Sequence, residues 1–276
     1  MKKRRRLKLL NTKKLVPNAF TIGNLLCGFL SVIFASRGIF ESACWLILLA
    51  ILFDALDGKF ARMLGTESEF GIEFDSLADV TSFGLAPSML VYFCFFEEIT
   101  FANNSWLTFF GLAICSLPVT FGAVRLARYN VMANQSESHG IKQYFTGLPI
   151  PASATVIVTF ILFFIEVKPM IEQNISNEAI LIIVSGTIIL VSSLMISHIP
   201  YYKVSSVSAK TVKSKFFSAS IVIGIVAIWF LFSFQKGAFP IALLYIFWAI
   251  VSYFGKKLLS AFTDTDDEEE ITTTTN

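Results

Sequence analysis

The sequence predicts an all-α integral membrane protein with about eight transmembrane helices. Composition, the length of the apolar runs and the placement of the charges carry that prediction. Hydrophobic residues make up 55% of the 276 residues and charged residues only 15%, with 29 phenylalanines. Soluble domains run at ~45–50% and about 25% respectively. Mean hydropathy is +0.68. Apolar stretches at 18–36, 42–64, 71–96, 105–127, 150–166, 178–198, 217–234 and 239–255 each approach the ~20 residues needed to cross a hydrocarbon core. Backbone groups in lipid must be satisfied within their own segment, so these read as helices rather than strands. Collagen-like, disordered and disulfide-scaffold classes are excluded. Cys27, Cys44, Cys94 and Cys115 all lie in apolar runs without metal-ligand spacing, as buried thiols do.

The opening MKKRRRLKLLNTKK looks like the charged region of a signal peptide. The apolar segment after it lacks a convincing cleavage site and carries Asn18, Thr21 and Asn24, so it reads as a retained first helix. With the N-terminus placed in the cytoplasm, one face collects the N-terminal bases, Lys59, Arg62, Arg125, Arg128, Lys142, the 203–215 lysines, Lys256 and Lys257. Of the 22 Lys and Arg residues, only Arg37, Lys168 and Lys236 fall on the other face. Basic residues concentrate on cytoplasmic loops, so both termini are expected there, in a multi-pass protein of the cytoplasmic membrane. The N-terminal bases also suit anionic headgroups, making membrane lipids a partner. No nucleic-acid partner is expected. The tail from Asp264 to Glu270, followed by ITTTTN, reads as a solvated disordered end.

The second and third segments hold acids where acids are costly. Asp54 and Asp57 are three residues apart, and Asp75 and Asp79 four apart, so each pair shares a helix face. At 1.5 Å per residue from the cytoplasmic ends, Asp54 lies ~15 Å deep, Asp57 ~10 Å, Asp75 ~6 Å and Asp79 ~12 Å. The linker 65–70 is short, so the two helices are antiparallel neighbours and the four carboxylates converge. Lys59 and Arg62 are too few to balance them as salt bridges. A hard divalent cation resolves the repulsion; an all-oxygen set favours Mg²⁺ or Mn²⁺, with Ca²⁺ also admitted, over zinc. Gly58 and Gly71 allow close approach of a ligand or backbone, Ala61 keeps the face small, Arg62 can meet phosphate oxygens or simply snorkel, and Ser68 offers a hydroxyl.

Asp54-Ala-Leu-Asp57-Gly58-Lys-Phe-Ala61-Arg62, eight further residues, then Gly71-Ile-Glu-Phe-Asp75-Ser-Leu-Ala-Asp79 resembles the signature of the CDP-alcohol phosphatidyltransferases at all eight signature positions. The resemblance implies a six-helix core followed here by two additional helices. It further implies that Asp54, Asp57 and Asp75 ligate a divalent metal. Asp79 would approach the metal and act as base, and Gly58 and Arg62 would contact the CDP moiety. Pro17-Asn18-Ala-Phe-Thr21 is similar to the family's cytidine-side loop, which adds Asn18 and Thr21 to Ala61, Ser68 and Gly71 as expected contacts of the CDP-lipid. The implied reaction is displacement of CMP from CDP-diacylglycerol by an alcohol.

Outside the signature, Arg125-Leu-Ala-Arg128-Tyr-Asn130, expected to end the fourth helix, and Phe145-Thr-Gly147-Leu-Pro149-Ile-Pro151 resemble the serine-using branch. L-Serine is therefore the expected acceptor, with Arg125, Arg128 and Asn130 at its carboxylate. The same arginines suit the phosphate of glycerol 3-phosphate or of an inositol-type acceptor, or mark only the positive-inside boundary. Pro149 and Pro151 also suit a plain helix start. His139 and His198 take no role. An ion-coupled transporter would need an inverted counterpart in the second half, where helices carry only Glu166 and Glu178 at their outer ends. The expected organisation is a basic N-terminus at 1–16, a catalytic core at 17–200, a basic loop at 201–216, two further helices within 217–257 forming a packing or homodimer surface, and an acidic tail at 258–276.

Overall fold

A computed structural model of the chain describes residues 2–66, 68–97, 105–139, 147–171, 175–197, 199 and 237–253. All regular structure among them is helical. The expected seventh segment, the basic loop, His198 and the acidic tail lie outside the described residues.

Helices α1 (Lys2–Ser36) and α2 (Phe40–Leu64) make a hairpin closed by residues 37–39. Gly38 stands at φ 75°, a backbone conformation open to glycine without a Cβ penalty. The helices press together through Ala35, Ala43, Cys44, Ile47 and Ala50, all buried. Small side chains at such positions let backbones approach in a medium where lipid offers no hydrophobic drive. Ser31 donates across the seam to the Ala43 carbonyl at 2.9 Å. The first helix starts at Lys2 rather than at residue 18, because nothing in the basic run breaks a helix and Pro17 is accommodated inside it.

Helix α3 (Glu69–Phe96) departs from the regular helix expected over 71–96. It is α-helical over Glu69–Asp79 and Ala86–Val91, and widens to π geometry over Val80–Leu85 and Tyr92–Phe96. The first widening has a local cause. Pro87 has no N–H to return one turn back, and the Ala86 N–H reaches instead to Thr81, five residues earlier. Gly84 inside it lets α3 lie against α4; a Cβ there would sit 3.1 Å from Val119 Cα.

Helix α4 (Ser105–His139) runs well past the expected end at 127. The apolar run stops there, but no Gly or Pro follows before His139, so the helix continues where the hydropathy does not. Arg125, Arg128 and Asn130 are thus interior helical residues, not a helix end. Helix α5 (Ile150–Ile171) and helix α6 (Asn177–Ile196) complete a six-helix bundle. Gly147, at φ 89°, gives its N–H to the Ile199 carbonyl at 2.9 Å, and Leu148 to that of Leu194 at 3.0 Å. Those bonds pin the start of α5 to the end of α6. Helix α7 (Gly237–Tyr253) packs on α5, with Phe239 against Phe160 and Phe163 at ring-centroid distances of 5.2 and 5.6 Å.

Among the described residues, five helices are long and apolar enough to cross a membrane: Pro17–Ser36, Glu69–Phe96, Thr108–Met132, Ile150–Met170 and Asn177–Ile196. Helix α2, at 25 residues, has the length but carries the charges. Leu26, Phe29, Leu52, Phe109 and Ile182 point outward, as lipid-facing side chains should. This is an all-α multi-pass membrane protein. The four cysteines are free thiols, three buried and Cys94 partly so, as expected.

Helices α1 and α3 cross at Gly28, where a Cβ would fall 2.7 Å from the Ser82 Cα, a backbone atom that cannot step aside. Gly28→Ala is expected to cost about 1–3 kcal/mol through overpacking. Gly186→Ala on α6, where a Cβ meets nothing within 4 Å, should cost nothing. Thermal unfolding of the two purified variants in one detergent checks the contrast.

Candidate active site and metal centre

The turn between α2 and α3 sets the site. Helix α2 ends on Gly65, left-handed at φ 58°, whose N–H returns to the Ala61 and Arg62 carbonyls. Ser68 then caps α3, its Oγ accepting from the Gly71 N–H at 3.2 Å. A serine N-cap satisfies one of the donors every helix start leaves open. The compact reversal lays Asp54 and Asp57 of α2 against Asp75 of α3. One carboxylate oxygen from each lies within 4.8 Å of the others.

Asp57 is buried at 5% exposure, and its Oδ2 accepts from the Thr21 hydroxyl of α1 at 2.9 Å. Asp79, on α3 one turn beyond Asp75, is also buried at 8% exposure, and its Oδ1 accepts from Asn24 Nδ2 at 3.3 Å. Asp75 Oδ1 is buried with no hydrogen-bond donor among the described residues. That set fits a hard divalent ion. Oxygens held ~2.0–2.6 Å from one ion lie at most ~4–5 Å apart, and an unsatisfied carboxylate oxygen inside the group is the position such an ion would fill. Asp79 is not one of the three, and like Asp57 it faces a polar side chain of α1.

The other sequence-derived residues fall in three places. Gly58 leaves open space, with only the Arg62 guanidinium 3.9 Å from where its Cβ would be; Arg62 itself is exposed. Asn18, Ala61, Ser68 and Gly71 are half-buried on the same end of the α1–α2–α3 unit. Thr21 faces the carboxylates rather than open space, and Ser68 is engaged as a cap. On α4, Arg125 is half-buried with its Nε unsatisfied among the described residues, within the electrostatic reach of Asp79, Tyr129 and Arg128. Asn130 ties α4 to α3, donating to Ser76 Oγ at 3.1 Å and Glu73 Oε2 at 3.5 Å. Of the 145–151 segment, Phe145 and Thr146 lie outside the described residues. Gly147 and Leu148 serve the α5–α6 junction.

Sequence reasoning assigned no function to Asn24 or Ser82. Ser82 Oγ donates to the Asn24 carbonyl at 2.9 Å, so one residue of α1 meets α3 twice. The legible signal was the spacing of Asn18, Thr21 and Asn24, three residues apart, which draws a polar stripe down an apolar helix.

A bundle of apolar helices with a carboxylate group of ion-binding size at one end of two adjoining helices could hold a divalent cation against a phosphorylated substrate. The chain belongs to the CDP-alcohol phosphatidyltransferase family, whose domain matches residues 14–188. Among its relatives, the CDP-diacylglycerol–serine O-phosphatidyltransferase of Helicobacter pylori strain J99 is 39% identical over 192 residues, covering 70% of this chain and 73% of the relative. The archaetidylserine synthase of Methanothermobacter thermautotrophicus is 34% identical over 212 residues, 74% of this chain and 78% of the relative. The CDP-diacylglycerol–serine O-phosphatidyltransferase of Methanocaldococcus jannaschii is 34% identical over 238 residues, 86% and 94%.

A ligand that binds only the folded state stabilises it by mass action. Added Mn²⁺ is therefore expected to raise the melting temperature of the protein. Asp75→Asn, which keeps the side-chain volume and removes one charge of the three, should melt at least as high as the parent in chelator and lose most of the Mn²⁺ response. Equal Mn²⁺-induced shifts in both proteins would count against a cation at this site.

Proposed function

We propose that this protein transfers the phosphatidyl group of CDP-diacylglycerol to the hydroxyl of L-serine, releasing phosphatidylserine and CMP at the cytoplasmic face of the cell membrane. The observation that carries the chemistry is the Asp54, Asp57 and Asp75 group with Asp79 beside it. Serine as acceptor rests on the relatives, whose names carry serine with CDP-diacylglycerol in one case and with an archaetidyl group in the other.

Asp54, Asp57 and Asp75, with Asp79 alongside, would hold a divalent cation, Mg²⁺ or Mn²⁺, which when bound neutralises pyrophosphate charge. Thr21 fixes the rotamer of Asp57 by its hydrogen bond and so shapes that group. Asp79 accepts the serine hydroxyl proton as the oxygen bonds to the phosphorus carrying diacylglycerol. The bond from that phosphorus to the CMP oxygen breaks, and CMP departs with the electron pair. Gly58 leaves room for the CDP moiety and Arg62 supplies it a cation, with Asn18, Ala61, Ser68 and Gly71 on the same side. Arg125 and Arg128 face the acceptor carboxylate, and Asn130 braces α4 against α3 behind them. In the full chain we read eight spans, residues 17–200 as the catalytic core, and both termini in the cytoplasm.

Three outcomes are expected. With CDP-diacylglycerol and Mn²⁺, purified protein should release CMP with serine far faster than with glycerol 3-phosphate or inositol, and Arg125→Ala should raise the serine KM more than the CDP-lipid KM. Consumption of glycerol 3-phosphate in place of serine would move the acceptor assignment. Next, Asp79→Asn keeps shape but removes the proton acceptor, so turnover should fall by at least ~10²-fold while CDP-lipid binding survives. A variant that loses CDP-lipid binding and keeps its turnover at saturation would make Asp79 a binding group instead. Last, a cysteine introduced beside Lys168 should react with an impermeant thiol reagent in sealed cells, and one in the tail should not; the reverse pattern would invert the topology.

A further inference from the structure

Asn24 is fully buried, at 0% exposure, on the face of α1 that also buries Thr21, Cys27, Gly28 and Ser31. Its side-chain Nδ2 donates to Asp79 Oδ1 at 3.3 Å, and its main-chain carbonyl accepts from Ser82 Oγ at 2.9 Å. Asp79 and Ser82 are three residues apart on α3, so a single residue of α1 grips one face of α3 at two points. Gly28, one turn further along α1, lets the helices come close enough for both bonds, since any Cβ there would strike Ser82. The remaining polar atom of the amide, Oδ1, is buried with no donor among the described residues. A leucine would fill the same space without that unsatisfied oxygen, so packing is a poor reason for an amide here. As a base, Asp79 must be a carboxylate, which accepts hydrogen bonds only and so takes the amide nitrogen rather than its oxygen.

We infer that Asn24 is a positioning residue for the transfer reaction, holding the Asp79 carboxylate by Oδ1 so that its other oxygen stays directed at the acceptor hydroxyl. This rests on the reading of Asp79 as the base. The need for such a tether is local. Asp79 has the other carboxylates as neighbours and lies within electrostatic reach of Arg125. A carboxylate without that donor is free to rotate among these neighbours, and only one of its orientations presents an oxygen to the acceptor hydroxyl. Ser82 completes the tether by locking the backbone of Asn24 to the π segment that follows Asp79. A misdirected base costs rate rather than affinity, because ground-state binding of either substrate does not require the proton transfer.

The test uses full-length protein with Asn24→Leu, which fills the volume and removes the donor, and Asn24→Asp, which keeps the size and replaces the donor by a second acceptor. Both are expected to lower kcat by roughly 10–100-fold, with KM for CDP-diacylglycerol and for the acceptor within twofold of the parent. Mn²⁺-induced thermal stabilisation should be retained in both. Ser82→Ala should show a smaller fall in kcat with the same split. The acceptor is whichever alcohol the parent uses best, so a failure of the serine assignment leaves this measurement standing. Loss of the Asp79→Asn effect would remove the base reading separately. The inference is overturned if either Asn24 variant keeps kcat within twofold of the parent, or if the loss falls in KM or in Mn²⁺ stabilisation. Should Asn24→Leu not purify, Asn24→Asp decides.

Discussion

Carboxylates built into helices of membrane length must be faced by polar atoms, and here α1 provides them. Thr21 meets Asp57 and Asn24 meets Asp79, so the first helix is the counter-surface of the site and not a leading anchor. The arrangement works only because α1 and α3 nearly touch at Gly28 and Ser82. A wider crossing would leave both acids buried against hydrocarbon with no donor, an arrangement that costs several kcal/mol per group. Packing at one glycine therefore sets the distance over which the whole polar network is drawn.

The bundle separates two kinds of cohesion along its length. Toward the α1–α2 turn, helices adhere through alanines, Ile47 and aromatic rings, with a Ser31 bond across the seam. Toward the α2–α3 turn, side-chain hydrogen bonds take over and leave some groups unsatisfied: Asp75 Oδ1, Asn24 Oδ1, Thr66 Oγ1 and Arg125 Nε are all buried without partners among the described residues. Two more such groups, Ser88 Oγ and Ser192 Oγ, lie elsewhere in the bundle, but the charged and amide ones are all at this end, as suits a surface shaped for something it binds. Helix α4 belongs to both regimes. Its Gly111 and Gly122 accommodate Phe96, Met195 and Ile150, while Arg125 and Asn130 reach the site.

Much of this was readable before any coordinates. Apolar run length located α2, α3, α5 and α6 within a turn or so, because lipid enforces a minimum length. The Asp54–Asp79 spacing placed the acids on facing helices because helical periodicity is rigid. Other features were hidden for identifiable reasons. Hydropathy ends at the membrane boundary but helix propensity does not, so α4 overran its expected end by three turns. The π widening after Asp79 follows from a missing donor at Pro87 combined with tight packing at Gly84, and only the first is visible in a string of letters. The partners of Asp57 and Asp79 sit 36 and 55 residues earlier in the chain, and no periodicity links them; the polar stripe on α1 marked where to look but not what it touched.

Seven of the eight residues between Arg62 and Gly71 are described, and each has a place: two finish α2, Gly65 reverses the chain in a left-handed turn, Thr66 bonds back to Ala61, Ser68 caps, and Glu69 and Phe70 begin α3. Helical residues advance ~100° each, since 3.6 make a turn. One residue added within the α3 part of this stretch would swing Asp75 to a different side of its helix while leaving its composition untouched. The connection thus behaves as a gauge block, a part whose worth lies in its length, and side-chain chemistry within it is free to vary wherever the reversal and the cap are kept.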